Sequence, residues 1–166
     1  MIKPNNKNNK SPGTYIFVVT GYNCEPWVDK CVNSIVKQEY KNWICLLCDD
    51  CSTDRTWDKM KRHASKHENI YLYRTEKNMG ACYTRYFGLK SIEDKLQDED
   101  VILLVSLDDY LAHNKVLNVI DTYYARGAQV TYGNWKNLEG RVHKLTHLPK
   151  EVLENNSYRQ YKWVTT

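Results

Sequence analysis

Two adjacent carboxylates close an apolar run in "VILLVSLDDY", residues 101 to 110. Like charges side by side repel, and a carboxylate drawn toward a core without a partner is costly. A bound cation relieves both penalties. Oxygen-only ligands such as Asp108 and Asp109 suit Mg2+ or Mn2+. Two further polar clusters also follow apolar runs: "TGYN" (Thr20 to Asn23) and "DDCSTD" (Asp49 to Asp54). Here a carboxylate at the end of the second apolar run can accept the N3–H of a uracil ring, and an aromatic such as Tyr22 can stack on that base. The Asp108/Asp109 cation would then bridge a diphosphate and neutralise charge on a departing nucleoside diphosphate. Taken alone, "DDCSTD" reads as a cap and turn. Three such clusters together point to a site.

The elements that must position these residues alternate. "TYIFVVT" (Thr14 to Thr20) reads as a strand, and a helix opens at Pro26, with Val28, Cys31, Val32 and Ile35 at helical spacing. "WICLLCD" (43 to 49) is a second strand, after which Ser52, Thr53 and Asp54 are cap-type residues opening a second helix. "IYLYR" (70 to 74) is a third strand, with a helix from Gly80 to Ile92 behind it. "VILLVS" (101 to 106), apolar on both faces, reads as a central parallel strand. A helix over Asn114 to Arg126 ends at Gly127, and "AQVTYG" (128 to 133) reads as a fifth strand.

The pattern is that of an α/β fold, a mostly parallel sheet with helices on both faces. Ligands bind such sheets beyond the carboxyl ends of the strands, where all three clusters fall. On the third helix Ala81, Arg85, Gly88, Leu89 and Ile92 share one stripe, which turns Arg85 toward the sheet. An inward arginine needs an anion: Asp108, Asp109 or a ligand.

Composition sets the outer limits. The chain has 166 residues, 42% of them apolar, and a formal net charge of +4, which favours neither a small anion nor nucleic acid. The Asn- and Lys-rich opening, residues 1 to 13, reads as a disordered polar tail. Neither it nor any later run has the ~20 apolar residues of a membrane span, so a cytoplasmic protein is expected. Cys45, Cys48 and Cys51 invite a zinc reading, but residues three apart on a strand face opposite ways, and six cysteines here read as reduced thiols.

In their order and spacing, "VVTGYN", "CVNSIVKQEYKNW", "CDDCSTDRT", "NMGACYTRYFGL" and "LVSLDDYL" resemble the GT-A fold inverting glycosyltransferases of family 2, from about Tyr15 to Trp135. The resemblance implies a Rossmann-like nucleotide-diphospho-sugar transferase fold over residues 14 to 135. It also implies transfer of a sugar from a UDP-sugar donor to a glycan or protein hydroxyl, assisted by Mn2+ or Mg2+. Thr20, Tyr22, Asn23, Asp50, Arg85 and Asp108 would hold the nucleotide-sugar. Asp109, with Asp108, would hold the metal. The chain departs from the family where Thr20-Gly21 replaces Pro-Thr, Ser106 replaces the first carboxylate of the metal motif, and Tyr86 replaces an Asn.

Residues 136 to 166 would begin the acceptor side, and the general base is expected in a longer parent chain. Glu139, Glu151, Glu154, His143 and His147 read as surface residues. The alternative class is a non-catalytic nucleotide or single-stranded nucleic-acid binding module, suggested by "YRQYKW" (158 to 163). Basic residues elsewhere are mixed with acidic ones, so no nucleic-acid partner is expected. "DDCST" lacks the Asp-x-Asp spacing of aspartate phosphatases and follows the second strand rather than the first, and no Gly-x-Gly-x-x-Gly dinucleotide loop follows the first strand.

Overall fold

The computed structural model describes residues 13 to 143 apart from 129, 132 and 138. Most of the expected tail, together with His147, Glu151, Glu154 and "YRQYKW", lies outside the described residues.

Four strands, β1 (Tyr15–Gly21), β2 (Trp43–Asp49), β3 (Ile70–Arg74) and β4 (Val101–Ser106), form one parallel sheet in the order β3-β2-β1-β4. Their apolar, β-branched runs are buried on both faces in β1 and through most of β2, as helix-covered parallel strands require. Alternate residues feed two cores. Tyr15, Phe17, Val19, Cys45 and Leu47 pack with Val28, Cys31, Val32 and Ile35 of α1 (Val28–Val36), Met60 of α2 (Thr56–Ala64) and Leu117 of α4 (Val116–Tyr124). Ile16, Val18, Leu46 and Cys48 face the other way, with Leu89 of α3 (Ala81–Lys90) and Ile92 just beyond it. Cys45 and Cys48 thus fall in different cores, as the strand period requires.

Several boundaries differ from expectation. Pro26 lies in the turn before α1, where the amides of Trp27 and Val28 both bond to the carbonyl of Cys24. On α3 the buried positions are Thr84 and Gly88, with Arg85 and Leu89 half-buried beside them, while Ala81 is exposed. The stripe is therefore rotated: a Cβ at residue 88 would lie 2.6 Å from Cys48 Sγ, so the glycine lets the helix lie directly on β2.

The fifth strand is corrected. Ala128, Val130, Thr131 and Gly133 belong to no strand, and Val130 is 82% exposed. Alternating polarity offers a strand but cannot form one without a ladder partner. In consequence β4 is not central in the described sheet but pairs with β1 alone, leaving Ile102 and Leu104 exposed on one face. After Arg126 the described chain divides into a second unit, in which β5 (Trp135–Lys136) and β6 (Val142–His143) make a short antiparallel hairpin. His143 is in a strand there, and Glu139 is exposed in the turn.

Candidate functional site

Register brings the three polar clusters to one edge. Thr20 is paired with both Cys48 and Ser106, and Gly21 with Asp49. The turns after β1, β2 and β4 therefore start side by side at the carboxyl edge of the sheet. Leu107 N–H donates to the Thr20 carbonyl at 2.9 Å, and Asp50 N–H to the Gly21 carbonyl at 3.0 Å, so pairing continues into the turns. The Cys24 thiol is pushed up by burial and by the charges of Asp108, Asp54 and Asp49, so carboxylates from two of the turns surround the turn after β1.

Within this edge the expected residues divide by exposure. Tyr22 is 44% exposed, and Asp108 and Asp109 are also exposed. The Asp109 carboxyl is pushed above its ordinary 3.8, first by loss of water around it and then by the neighbouring Asp108 charge. A cation would relieve that repulsion. No third His, Cys, Asp or Glu joins the pair into a metal-binding group among the described residues. The remaining coordination would fall to water and phosphate oxygens, as Mg2+ commonly accepts.

Asp50 is placed differently from a free base-binding carboxylate. It is 3% exposed. Its Oδ1 accepts from Thr75 Oγ1 (3.1 Å), Met79 N–H (2.8 Å) and Thr84 Oγ1 (2.8 Å), and its Oδ2 from Gly80 N–H (2.8 Å). Burial pushes this carboxyl up, but those donors outweigh it and hold it below the usual range. Asp50 therefore fixes the segment that leads into α3, where Gly80 takes φ 85°. Oδ2, with one donor, keeps capacity for a ligand N–H.

Asn23 is likewise a structural pin. At φ 52° its side-chain oxygen accepts from Thr53 N–H (2.8 Å), Thr53 Oγ1 (3.2 Å) and Asp54 N–H (3.4 Å), while its own N–H donates to Ser52 Oγ (2.9 Å). Two expected residues carry polar atoms that lack a hydrogen-bond partner: Thr20 Oγ1 and Arg85 Nε are buried and unpaired. The only other such atom among the described residues, Trp43 Nε1, lies at the opposite end of β2. Buried polar groups are normally satisfied, so two unpaired atoms among the expected ligand residues set these positions apart. Arg85 makes no ion pair with Asp108 or Asp109.

Sequence reasoning passed over Asp49 and Arg74. Asp49 is fully buried, accepts from Ser52 N–H, and pairs with Arg74 Nε at 2.9 Å, while Arg74 Nη2 donates to the Ser52 carbonyl at 2.8 Å. The available signal was an acid and a base closing consecutive strands, which parallel register sets opposite each other.

The family model described as glycosyl transferase family 2 matches residues 16–164. An uncharacterized glycosyltransferase of Haemophilus influenzae is 26% identical over 145 residues, covering 83% of this chain and 56% of that protein. The Escherichia coli protein WfaP, a UDP-Glc:alpha-D-GlcNAc-diphosphoundecaprenol beta-1,3-glucosyltransferase, is 29% identical over 118 residues, covering 71% of this chain and 44% of that protein. The crystal structure of S. aureus TarS 1-349 in complex with UDP-GlcNAc is similar with a TM-score of 0.59 at 25% identity, covering 68% of this chain and 31% of that one. The chain thus spans about half the length of the curated relatives it matches. Its parallel sheet and flanking helices are those of the GT-A, Rossmann-like fold.

Proposed function

The chain belongs to glycosyl transferase family 2, and on that premise we propose that residues 14 to 135 bind a UDP-sugar for inverting transfer to a hydroxyl acceptor. The observation that carries this is the single carboxyl edge shared by β1, β2 and β4, with Tyr22 and the Asp108/Asp109 pair exposed on it. The TarS likeness, through a complex with UDP-GlcNAc, supports a UDP-sugar as donor.

Each residue has a part in this reading. Tyr22 stacks on the uracil, and Asp50 Oδ2, kept ionised by its donors, accepts the N3–H. Thr20 and Arg85, with Oγ1 and Nε unpaired, supply further polar contacts to the donor. Asp108 and Asp109 are the oxygen ligands for Mn2+ or Mg2+, which when bound would offset negative charge on the leaving diphosphate. Asn23 and the Asp49–Arg74 pair hold the turns in place. Residues 136 to 166 are assigned to the acceptor side. Among the described residues no helix is long and apolar enough to cross a membrane.

Titration calorimetry with UDP and Mn2+ tests this. Binding in the millimolar range or tighter is expected, weakened about tenfold by Tyr22→Ala, since base–aromatic stacking is worth roughly 1–3 kcal/mol. No heat at millimolar UDP would remove the proposal.

A further inference from the structure

We propose that the groove between α1 and the segment after β4 binds a phosphate group carried by the acceptor; the acceptor part rests on the transferase reading above. The groove, about 380 Å3, is lined by Lys30, Asn33 and Lys37 from α1 and by Tyr110, His113 and Asn114 from the other side, with no acidic residue among its lining. Lys30 and Lys37 are seven residues apart, two helical turns on one face, or about 10 Å along the axis. Lys30 Nζ lies 3.8 Å from the centre of the Tyr110 ring. Neither lysine has a carboxylate partner among the described residues, whereas Arg55, Lys59, Arg62, Arg74 and Lys90 each do. His113 Nδ1 accepts from Lys115 N–H at 3.1 Å, which leaves the ring proton of the neutral form on Nε2 as a further donor.

This groove is built rather than incidental. Leu111 N–H donates to Ser34 Oγ at 3.0 Å, and the buried Gln38 donates from Nε2 to the His113 carbonyl at 2.8 Å. Leu117 N–H in turn donates to Gln38 Oε1 at 3.1 Å, and Glu39 N–H to the Asn114 carbonyl at 2.8 Å. These bonds clamp the backbone of both walls that carry Lys30, Lys37 and His113, so an anion can be met there without a new loop arrangement. Tyr110, which lines the groove, directly follows Asp109 in the chain. Asp108 and Asp109 would hold the cation that offsets the donor's own diphosphate, so a second anion in this groove is assigned to the acceptor.

The test titrates the 166-residue chain, in EDTA so that no cation recruits anions to Asp108 and Asp109, with inorganic pyrophosphate and separately with glycerol 3-phosphate. Saturable binding of at least one probe is expected. It should be weakened about tenfold in the double variant Lys30→Gln/Lys37→Gln and unchanged in Lys61→Gln, whose ammonium pairs with Asp58. Glycerol should not compete. A preference for pyrophosphate assigns a diphosphate-linked acceptor, and a preference for glycerol 3-phosphate a phosphate ester of a polyol. UDP binding with Mn2+ should be the same in all three proteins. Failure of both probes, or full binding by the double variant, overturns the groove. Failure of the unaltered chain to bind UDP instead overturns the donor reading and leaves the groove result intact.

Discussion

Gly21 and Leu107 meet where β1 and β4 end: a Cβ at residue 21 would lie 2.5 Å from Leu107 Cβ and 2.7 Å from its Cδ2. The turn carrying Tyr22 and the turn carrying Asp108 are thereby packed directly on each other. The glycine is needed for space.

Gly21→Ala should therefore force the two turns apart and destabilise the protein by about 1–3 kcal/mol, the usual cost of overpacking. Urea unfolding measures it. In a Leu107→Gly background, which removes the Cβ as well as the Cδ2, the same substitution should cost much less, giving a coupling of about 1 kcal/mol or more between the two sites. Additive costs would show that the turns do not rest on one another.

Asp50→Asn replaces one acceptor oxygen with a donor in a cage of four donors. Opposing N–H groups and lost charge-assisted bonds should cost about 2–4 kcal/mol. The segment 75 to 80 should also lose protection from hydrogen exchange. A carboxylate whose sole work is to bind uracil would weaken UDP affinity with stability unchanged; here both are expected to fall.

Gln38→Leu keeps the volume near that of glutamine but leaves the His113 carbonyl and the Leu117 amide unpaired in the interior. A loss of about 2–3 kcal/mol is expected. Faster exchange should be concentrated at the Leu117 amide, which loses its acceptor, and should spread to Leu111 as the wall after β4 loosens. Uniformly faster exchange across the sheet would mean that Gln38 supports the core as a whole rather than this wall.

Acid sensitivity should arise partly at Asp29. Burial pushes its carboxyl up, but His63 (2.9 Å), Lys59 (3.2 Å) and Arg62 (2.8 Å) more than offset this and hold it at about 2. The unfolded value is about 3.9, so the folded state favours the ionised form. That contribution is complete above about pH 4 and is lost as pH falls toward 2. The side chain is 41% exposed, so screening limits the effect to about 1 kcal/mol or less. Unfolding of Asp29→Asn followed between pH 6 and pH 2 should show a correspondingly shallower fall than the unaltered protein.

Much of the fold was legible in the letters. Trp43–Asp49 and Ile70–Arg74 coincide with the expected strands, because apolar runs bounded by polar turns leave few other ways to bury those side chains. The shared carboxyl edge was also legible, since parallel strands joined by helices must end together. "AQVTYG" misled because its alternation is a property of the segment, while a strand is a property of a pair. Asp50, Asn23 and Arg85 were named together as ligand residues through the family resemblance, yet only their surroundings divide them.

By itself the amino-acid sequence determined where the four strands fall, in what order strands and helices alternate, and that three polar turns follow three apolar runs. These follow from local pattern and from the need to bury apolar surface. The tertiary structure alone decided that Asp50 is caged while Asp108 and Asp109 stay open, that Arg85 keeps an unpaired Nε, and that Gln38 clamps a basic groove. The partners concerned lie tens of residues away along the chain: Asp50 bonds to residues 75 to 84, and Gln38 to residues 113 and 117. Hydrogen-bond capacity is written in each side chain, but who fills it is settled only by register and packing.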